Sequence, residues 1–522
     1  MTQPDIVFIV LDTQRADRLG CYGNKQHLTP NLDHFAQQST LFEMALSAAQ
    51  WTIPSHTSMF TGLYPTAHQV TQPNLKLSPE VPHVADLLSK MGYETVGFCN
   101  NPLVGVLDND LKRGFQTFHN YGGTFPNPYP NQNRSWFGRT WEKLSAVIRH
   151  NIAYPIQNFF SRSDFAFRLS INSWFTPLWS QLGRFKGQNE KSVGDITRYL
   201  QDREIKDSDQ PLFLFLNLME THMPFVPPHK FVQQVAPEVA NDPAAQQVMR
   251  EWNSEAYRWA MPLPDGLTDL EKNVLNAYYS AEVAYQDDYL KKLFAQLEKR
   301  QNKENTLVII AADHGDGIGE HNFYGHSFVA YQELLHVPLI VKWPAQLPAG
   351  QRIDQAVSTR RIFHTILSAA GQLPKDAQNI DQAKVNGLSL CEVAHGRDVE
   401  QATAFSEVYP PLNLVSAIHD RQPGAVEKFQ CDELRRAIVK GGRKLIQIDD
   451  QPYEFFDLQS DQLELASILD TPPADFQPLY QQMNRIIGTV ESQRDSLIAG
   501  TPLTIDQDPD LVEHLRGLGY ID

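Results

Sequence analysis

Two short stretches concentrate the residues that could do chemistry. ADHGDGIGEHNFYGH (312–326) sets Asp313 and His314 side by side on a glycine-rich turn. One hard oxygen donor and one imidazole in that arrangement suit a divalent metal ion. The same pair could equally be a loop with a solvated histidine, so a third ligand is needed. Asp12, at the end of the apolar run DIVFIVLD, supplies it and leaves a coordination position open. WTIPSHTSMFTG (51–62) offers the group to fill that position. Pro54 suits a first helical turn, the segment continues to Gly62, and Thr52 sits where unpaired N–H groups favour an anion. Thr52 can be a helix cap or a nucleophile, and its position alone allows both.

These residues converge only if strands bring them together. IVFIVL (6–11), TVGFC (95–99), PLFLFLNL (211–218), TLVIIAA (306–312) and VPLIVKW (337–343) read as buried strands. HVADLLSKMGY (83–93) and AEVAYQDDYLKKLFAQLEK (281–299) carry helical spacing. The alternation predicts an α/β fold, a large, mostly parallel sheet covered by helices on both faces. In such sheets ligands gather at the carboxyl ends of strands, where Asp12, Asn100, His222 and Asp313 fall.

The 522 residues exceed one core's usual size, which predicts a large catalytic domain over 1–371 and a small α+β domain over 372–522. LRRAIVKGGRKLIQI (434–448) and YEFFDL (453–458) read as antiparallel strands around a Gly-Gly turn, with a helix near 473–498. A net charge of −16 argues against nucleic-acid binding. Four scattered cysteines indicate reduced thiols, and no run of about 18 apolar residues predicts a membrane span. The chain is read as cytoplasmic. Residues 121–190 form a basic, aromatic insertion with Arg134, Arg139, Arg149 and four of the eight tryptophans. It reads as a helical cap, or as a lid for an anionic or lipid-like substrate with peripheral membrane contact.

Several motifs in order carry a resemblance over nearly the whole chain: DIVFIVLDTQRADRLGCYG, WTIPSHTSMFTGLYP, ETHMPF, DHGDGIGEHNFYGH and the closing LRGLGYID. The chain resembles the sulfatase family of the alkaline phosphatase superfamily. The resemblance implies an alkaline-phosphatase-like fold with Asp12, Asp313 and His314 on one divalent ion and Thr52 as nucleophile. The family's Cys or Ser, which becomes formylglycine, is Thr52 here, so no formylglycine is expected. Threonine at that position resembles the phosphodiesterases and threonine transferases of the superfamily, and Asp313-His314 resembles the phosphonate monoester hydrolases. These likenesses favour Mn²⁺ or Zn²⁺, with Ca²⁺ the alternative, and phosphate esters over sulfate esters. They also place His56, His222 and His326 at catalytic positions and Asn100 and Asn101 at substrate-binding ones. His68 is read as structural. The competing readings are a sulfatase working without formylglycine and a catalytically silent binding protein.

Overall fold

The computed structural model describes residues 3–72, 75–123, 126–130, 185–206, 208–375, 377 and 380–497. Residues 131–184, the bulk of the basic insertion, lie outside the described residues, and so does the closing LRGLGYID. The strands in chain order are β1 (Asp5–Leu11), β2 (Thr40–Leu46), β3 (Glu94–Cys99), β4 (Thr117–Asn120) and β5 (Leu212–Leu218). Next come β6 (Met261–Pro262), β7 (Thr306–Ala311), β8 (Gly317–Ile318), β9 (Phe323–Gly325), β10 (His336–Val337), β11 (Leu339–Lys342) and β12 (Arg352–Ser358). Last are β13 (Thr403–Val408), β14 (Arg435–Lys440), β15 (Arg443–Ile448) and β16 (Gln451–Asp457).

Nine of these strands form the central sheet, in the order β10-β2-β11-β7-β1-β5-β3-β4 with β12 beside β2. Its middle is parallel, since β1 runs with both β5 and β7, while β11 is antiparallel to β7 and β2. The apolar runs are continuous because both faces are covered. Val7, Ile9 and Leu11 of β1 pack in one core with the helices Asn189–Ile205 and Asp269–Lys299. Ile6, Phe8 and Val10 pack in the other, with the helices Thr52–Thr61, Val84–Lys90 and Arg361–Ala370. Strand alternation sends neighbouring side chains into opposite cores.

The differences from the sequence reading have local causes. The expected strand 337–343 is two strands split at Pro338, which has no N–H for a ladder bond. The helix expected at 281–299 begins at Asp269, where Thr268 and Glu271 form a capping box. The Gly441-Gly442 turn between β14 and β15 forms as expected, both glycines having positive φ. That antiparallel sheet, β13-β14-β15-β16, carries the helix Phe476–Ser496 on Phe405, Ile438, Leu445 and Phe455. It joins the large sheet just ahead of Thr52, where the Glu407 N–H donates to the Ala48 carbonyl. Cys21, Cys99, Cys391 and Cys431 are all free thiols.

Candidate active site

The Thr52–Thr61 helix is buried throughout and stops at Gly62, whose φ of 72° suits a residue without a side chain. Trp51, with extended backbone, is its N-cap residue, and Thr52 already lies in the first turn. The capping reading of Thr52 therefore fails, because a side chain inside the turn no longer faces the free N–H groups. Its Oγ1 lies 3.4 Å from His314 Nε2 and 3.4 Å from Asn101 Nδ2. Both separations are long for hydrogen bonds, so the hydroxyl is aimed at the site without being locked there.

Asp12 and Asp313 follow β1 and β7 and are completely buried. Asp12 Oδ2 accepts from Asn101 Nδ2 at 2.6 Å and from Asn217 Nδ2 at 3.2 Å, while its Oδ1 has no hydrogen-bond partner. Asp313 Oδ1 accepts from the N–H groups of His314 (2.9 Å) and Thr13 (3.2 Å), and its Oδ2 has no hydrogen-bond partner. His56 Nδ1 and His314 Nε2 stand 3.4 Å from that oxygen. His314 donates from Nδ1 to the Gly315 carbonyl at 2.8 Å, which leaves a lone pair on Nε2. Ligand atoms of Asp12, Asp313 and His314 all lie within 4.8 Å of one another. Two orphaned carboxylate oxygens and one imidazole lone pair converging in a buried space fit a divalent cation. Burial pushes the Asp12 carboxyl up to about 6 against the two amide bonds. Burial, and then the Asp12 charge, pushes Asp313 well up.

The histidines divide by what their ring nitrogens do. His222 donates from Nδ1 to the Met223 carbonyl at 2.7 Å. His326 Nδ1 lies 3.0 Å from Asp316 Oδ1. The His326 ring centre is 4.9 Å from that of His222 and 4.6 Å from that of His314, so these three gather on one side of the carboxylates. His222 and His326 line a cavity of about 40 Å³ with Trp51, Phe185, Trp259 and Leu414. Burial, and then the neighbouring His326 ring, hold His222 and His314 well below the usual imidazole range.

Two expected site residues are tied up in bonds to the surrounding frame. His56 packs under the site against Phe60 and Phe215, its Nδ1 donating to the Thr52 carbonyl at 2.9 Å and its Nε2 3.3 Å from Asn217 Nδ2. Burial lowers its pKa to about 4. Both nitrogens are engaged, so it braces the helix and Asn217. Asn100 donates to Ser192 Oγ and the Asn217 carbonyl and accepts from the Gln188 N–H, so its amide anchors the chain at 188–192. Its neighbour Asn101 is the one that reaches Asp12. His68 bonds Ser58 Oγ and the Val70 N–H deep in the protein, consistent with a structural residue.

Asn217 and Asp316 were not assigned roles from the sequence. Asn217 was visible as the lone polar residue of LFLFLNL, and its Oδ1 also accepts from the Asn101 N–H. Ser55, next to Pro54, donates to the Asp313 carbonyl at 2.6 Å and ties the Thr52 helix to the Asp313-His314 turn.

A family model described as Sulfatase matches residues 4–372. The arylsulfatase of Clostridium perfringens is 22% identical over 521 residues, spanning 98% of this chain and 100% of its own length. The multifunctional alkaline phosphatase superfamily protein PehA of Trinickia caryophylli is 24% identical over 511 residues, spanning 90% of this chain and 92% of its own. Among solved structures, the phosphonate monoester hydrolase of Agrobacterium radiobacter superposes with a TM-score of 0.62 at 20% identity, covering 94% of this chain and 96% of its own.

Proposed function

The chain belongs to the sulfatase family of hydrolases, and on that premise we propose that it hydrolyses phosphate esters, diesters above all, through a covalent intermediate on Thr52. The observation that carries this reading is an unmodified threonine hydroxyl at the N-terminal turn of a buried helix, aimed at Asp12, Asp313 and His314. Those three residues and Thr52 Oγ would hold one Mn²⁺ or Zn²⁺ ion. When bound, such an ion supplies positive charge that polarises ester oxygens and favours the alkoxide form of a hydroxyl.

The choice of phosphorus follows from the fate of the intermediate. Thr52 Oγ forms a bond to the central atom, and the bond to the alcohol oxygen breaks with its electron pair going to that oxygen. A threonine ester has no second hydroxyl on its carbon through which to collapse, so water must attack the central atom to clear it. Asn101 and Asn217 hold the Asp12 carboxylate in place throughout. His222 and His326 present ring nitrogens on the side where the ester oxygens and the leaving alcohol would lie. Trp51, Phe185, Trp259 and Leu414 give the side of the site next to these histidines apolar walls.

A sulfate-ester reading has its own support, the full-length match to an arylsulfatase. A silent binding protein has none, because the whole ligand set is retained. The test is a rate comparison on aryl phosphate mono- and diesters, phosphonate monoesters and aryl sulfates, with Mn²⁺, Zn²⁺ and Ca²⁺ in turn. Thr52→Ser should keep measurable activity, whereas Thr52→Ala should lose about three or more orders of magnitude. An alanine variant within about tenfold of wild type would end the nucleophile reading. A preference for aryl sulfate over every phosphate ester would overturn the substrate class.

A further inference from the structure

Asp316 lies outside the set that would bind the metal, yet the fold aims it at the site. It immediately precedes β8, and His326 immediately follows β9, in a short hairpin whose register pairs Gly317 with Gly325. That register sets residues 316 and 326 opposite each other. The close approach requires glycine: Gly325 has a φ of 81°, and a Cβ there would come within 1.8 Å of the Trp259 carbonyl oxygen. The Asp316 main chain is fixed by Arg15, whose Nη1 donates to the Asp316 carbonyl at 3.1 Å while the same guanidinium holds Asp17 and Glu320. The Asp316 side chain is fully buried, and its Oδ1 lies 3.0 Å from His326 Nδ1. A carboxylate can only accept there, so Nδ1 carries a proton, and in the neutral ring Nε2 carries the lone pair.

We propose that Asp316 is a positioning residue that holds His326 with Nε2 turned to the water that clears the Thr52 ester. This rests on the reading of Thr52 as the covalent nucleophile. In that step the water oxygen forms a bond to phosphorus, and the bond from phosphorus to Thr52 Oγ breaks, its electron pair returning to Oγ. The water's proton passes to His326 Nε2, and because water attacks on the face opposite the Thr52 oxygen, that oxygen leaves as an alkoxide and takes a proton from solvent, to which His326 releases its own. Asp316 touches neither substrate nor water and acts only by fixing the ring and its tautomer. His222 has a neutral backbone carbonyl at the equivalent nitrogen, and His314 has one too, so His326 is the histidine of the three held by a carboxylate.

The test separates formation of the Thr52 ester from its removal. With Mn²⁺-loaded protein and an aryl phosphodiester, Asp316→Ala should release a rapid burst of phenol close to one per site. Turnover should then be about a hundredfold or more slower than wild type. Mass spectrometry of the quenched protein should find the phosphoryl adduct on the peptide holding Thr52. Asp316→Asn, whose amide oxygen still accepts from Nδ1, should fall only about tenfold, between alanine and wild type. Burst and turnover falling together in Asp316→Ala, or asparagine behaving like alanine, would overturn the proposal. Should the alanine variant not fold, His326→Gln and Asp316→Asn carry the test: the first must show the burst and adduct, and the second must not resemble it. If neither wild type nor any variant forms a Thr52 adduct, the nucleophile reading itself falls. An adduct in wild type that Asp316 variants leave unchanged removes only the role given to Asp316.

Discussion

Replacing Asp12 with Asn should stabilise the metal-free protein at neutral pH and abolish its stabilisation by metal. Asp12 Oδ2 is satisfied by Asn101 and Asn217, Oδ1 has no hydrogen-bond partner, and a ligand oxygen of Asp12 lies within 4.8 Å of one of Asp313. An asparagine can keep its oxygen toward the two amide donors and turn its NH₂ toward Asp313 Oδ2, which has no hydrogen bond of its own. The wild-type carboxyl, pushed by burial to about 6 from 3.8, releases its proton later in the folded than in the unfolded chain. Between those pH values the folded state binds more protons, so stability falls as pH rises and stays low above about 6. At 1.36 kcal/mol per pH unit the cost of ionised Asp12 is about 3 kcal/mol, an upper bound on the gain from Asp12→Asn at pH 7. The gain should shrink toward zero near pH 4, where both chains are neutral at this position. Mn²⁺ at a hundred times its dissociation constant should instead add about 2.7 kcal/mol to wild type and little to the variant. Urea melts followed by tryptophan fluorescence, after exhaustive chelation and again with Mn²⁺, measure both effects. An Asp12→Asn protein less stable than wild type without metal at pH 7, or one that Mn²⁺ stabilises equally, would refute the reasoning.

Gly62→Ala should destabilise the protein by about 2 kcal/mol or more: the added Cβ meets Phe363 and His364 at 2.6 Å in a left-handed conformation, and a lowered melting midpoint would show it. His321 should make stability fall as pH rises above about 6.5. Burial opposes its charge, but the bond to Glu333 at 2.8 Å and the neighbouring Glu464 outweigh burial and raise its pKa to about 9. The stabilisation is therefore full below the ordinary imidazole value and is lost through pH 9, by up to about 3 kcal/mol. Glu333→Gln should flatten that part of the stability profile, and an unchanged slope would discount the pair.

The sheet was legible where burial is complete on both faces, because β1, β5 and β7 need nothing but apolar residues. Its edge was not. In β2 the run TLFEMAL carries Glu43 part-way out of the core, and its position depends on pairing with β10, β11 and β12, which is set by distant chain. The site follows the same division. The convergence of Asp12, Thr52, Asp313 and His314 was readable because each stands at an element's end in a motif that limits what the chain can do there. Asn100 and Asn101 were not told apart because adjacency conceals which way each side chain leaves. After a strand, successive side chains leave in opposite directions, so only one of two neighbouring asparagines can face the ligands, and the direction depends on where the following turn begins. Pro102 starts a helical turn that Asn101 caps through its Oδ1, which leaves the Asn101 NH₂ free for Asp12. Asn100 is left to Ser192 and Gln188. His56 shows a related effect: four residues after Thr52 on the same helix, its ring folds back to the Thr52 carbonyl one turn earlier. Titratable chemistry at a helix start thus has to be assigned by turn as well as by type. On that criterion His326, on a separate hairpin facing Asp316, is placed for the proton transfer proposed above, whereas the His56 ring points back along its own helix.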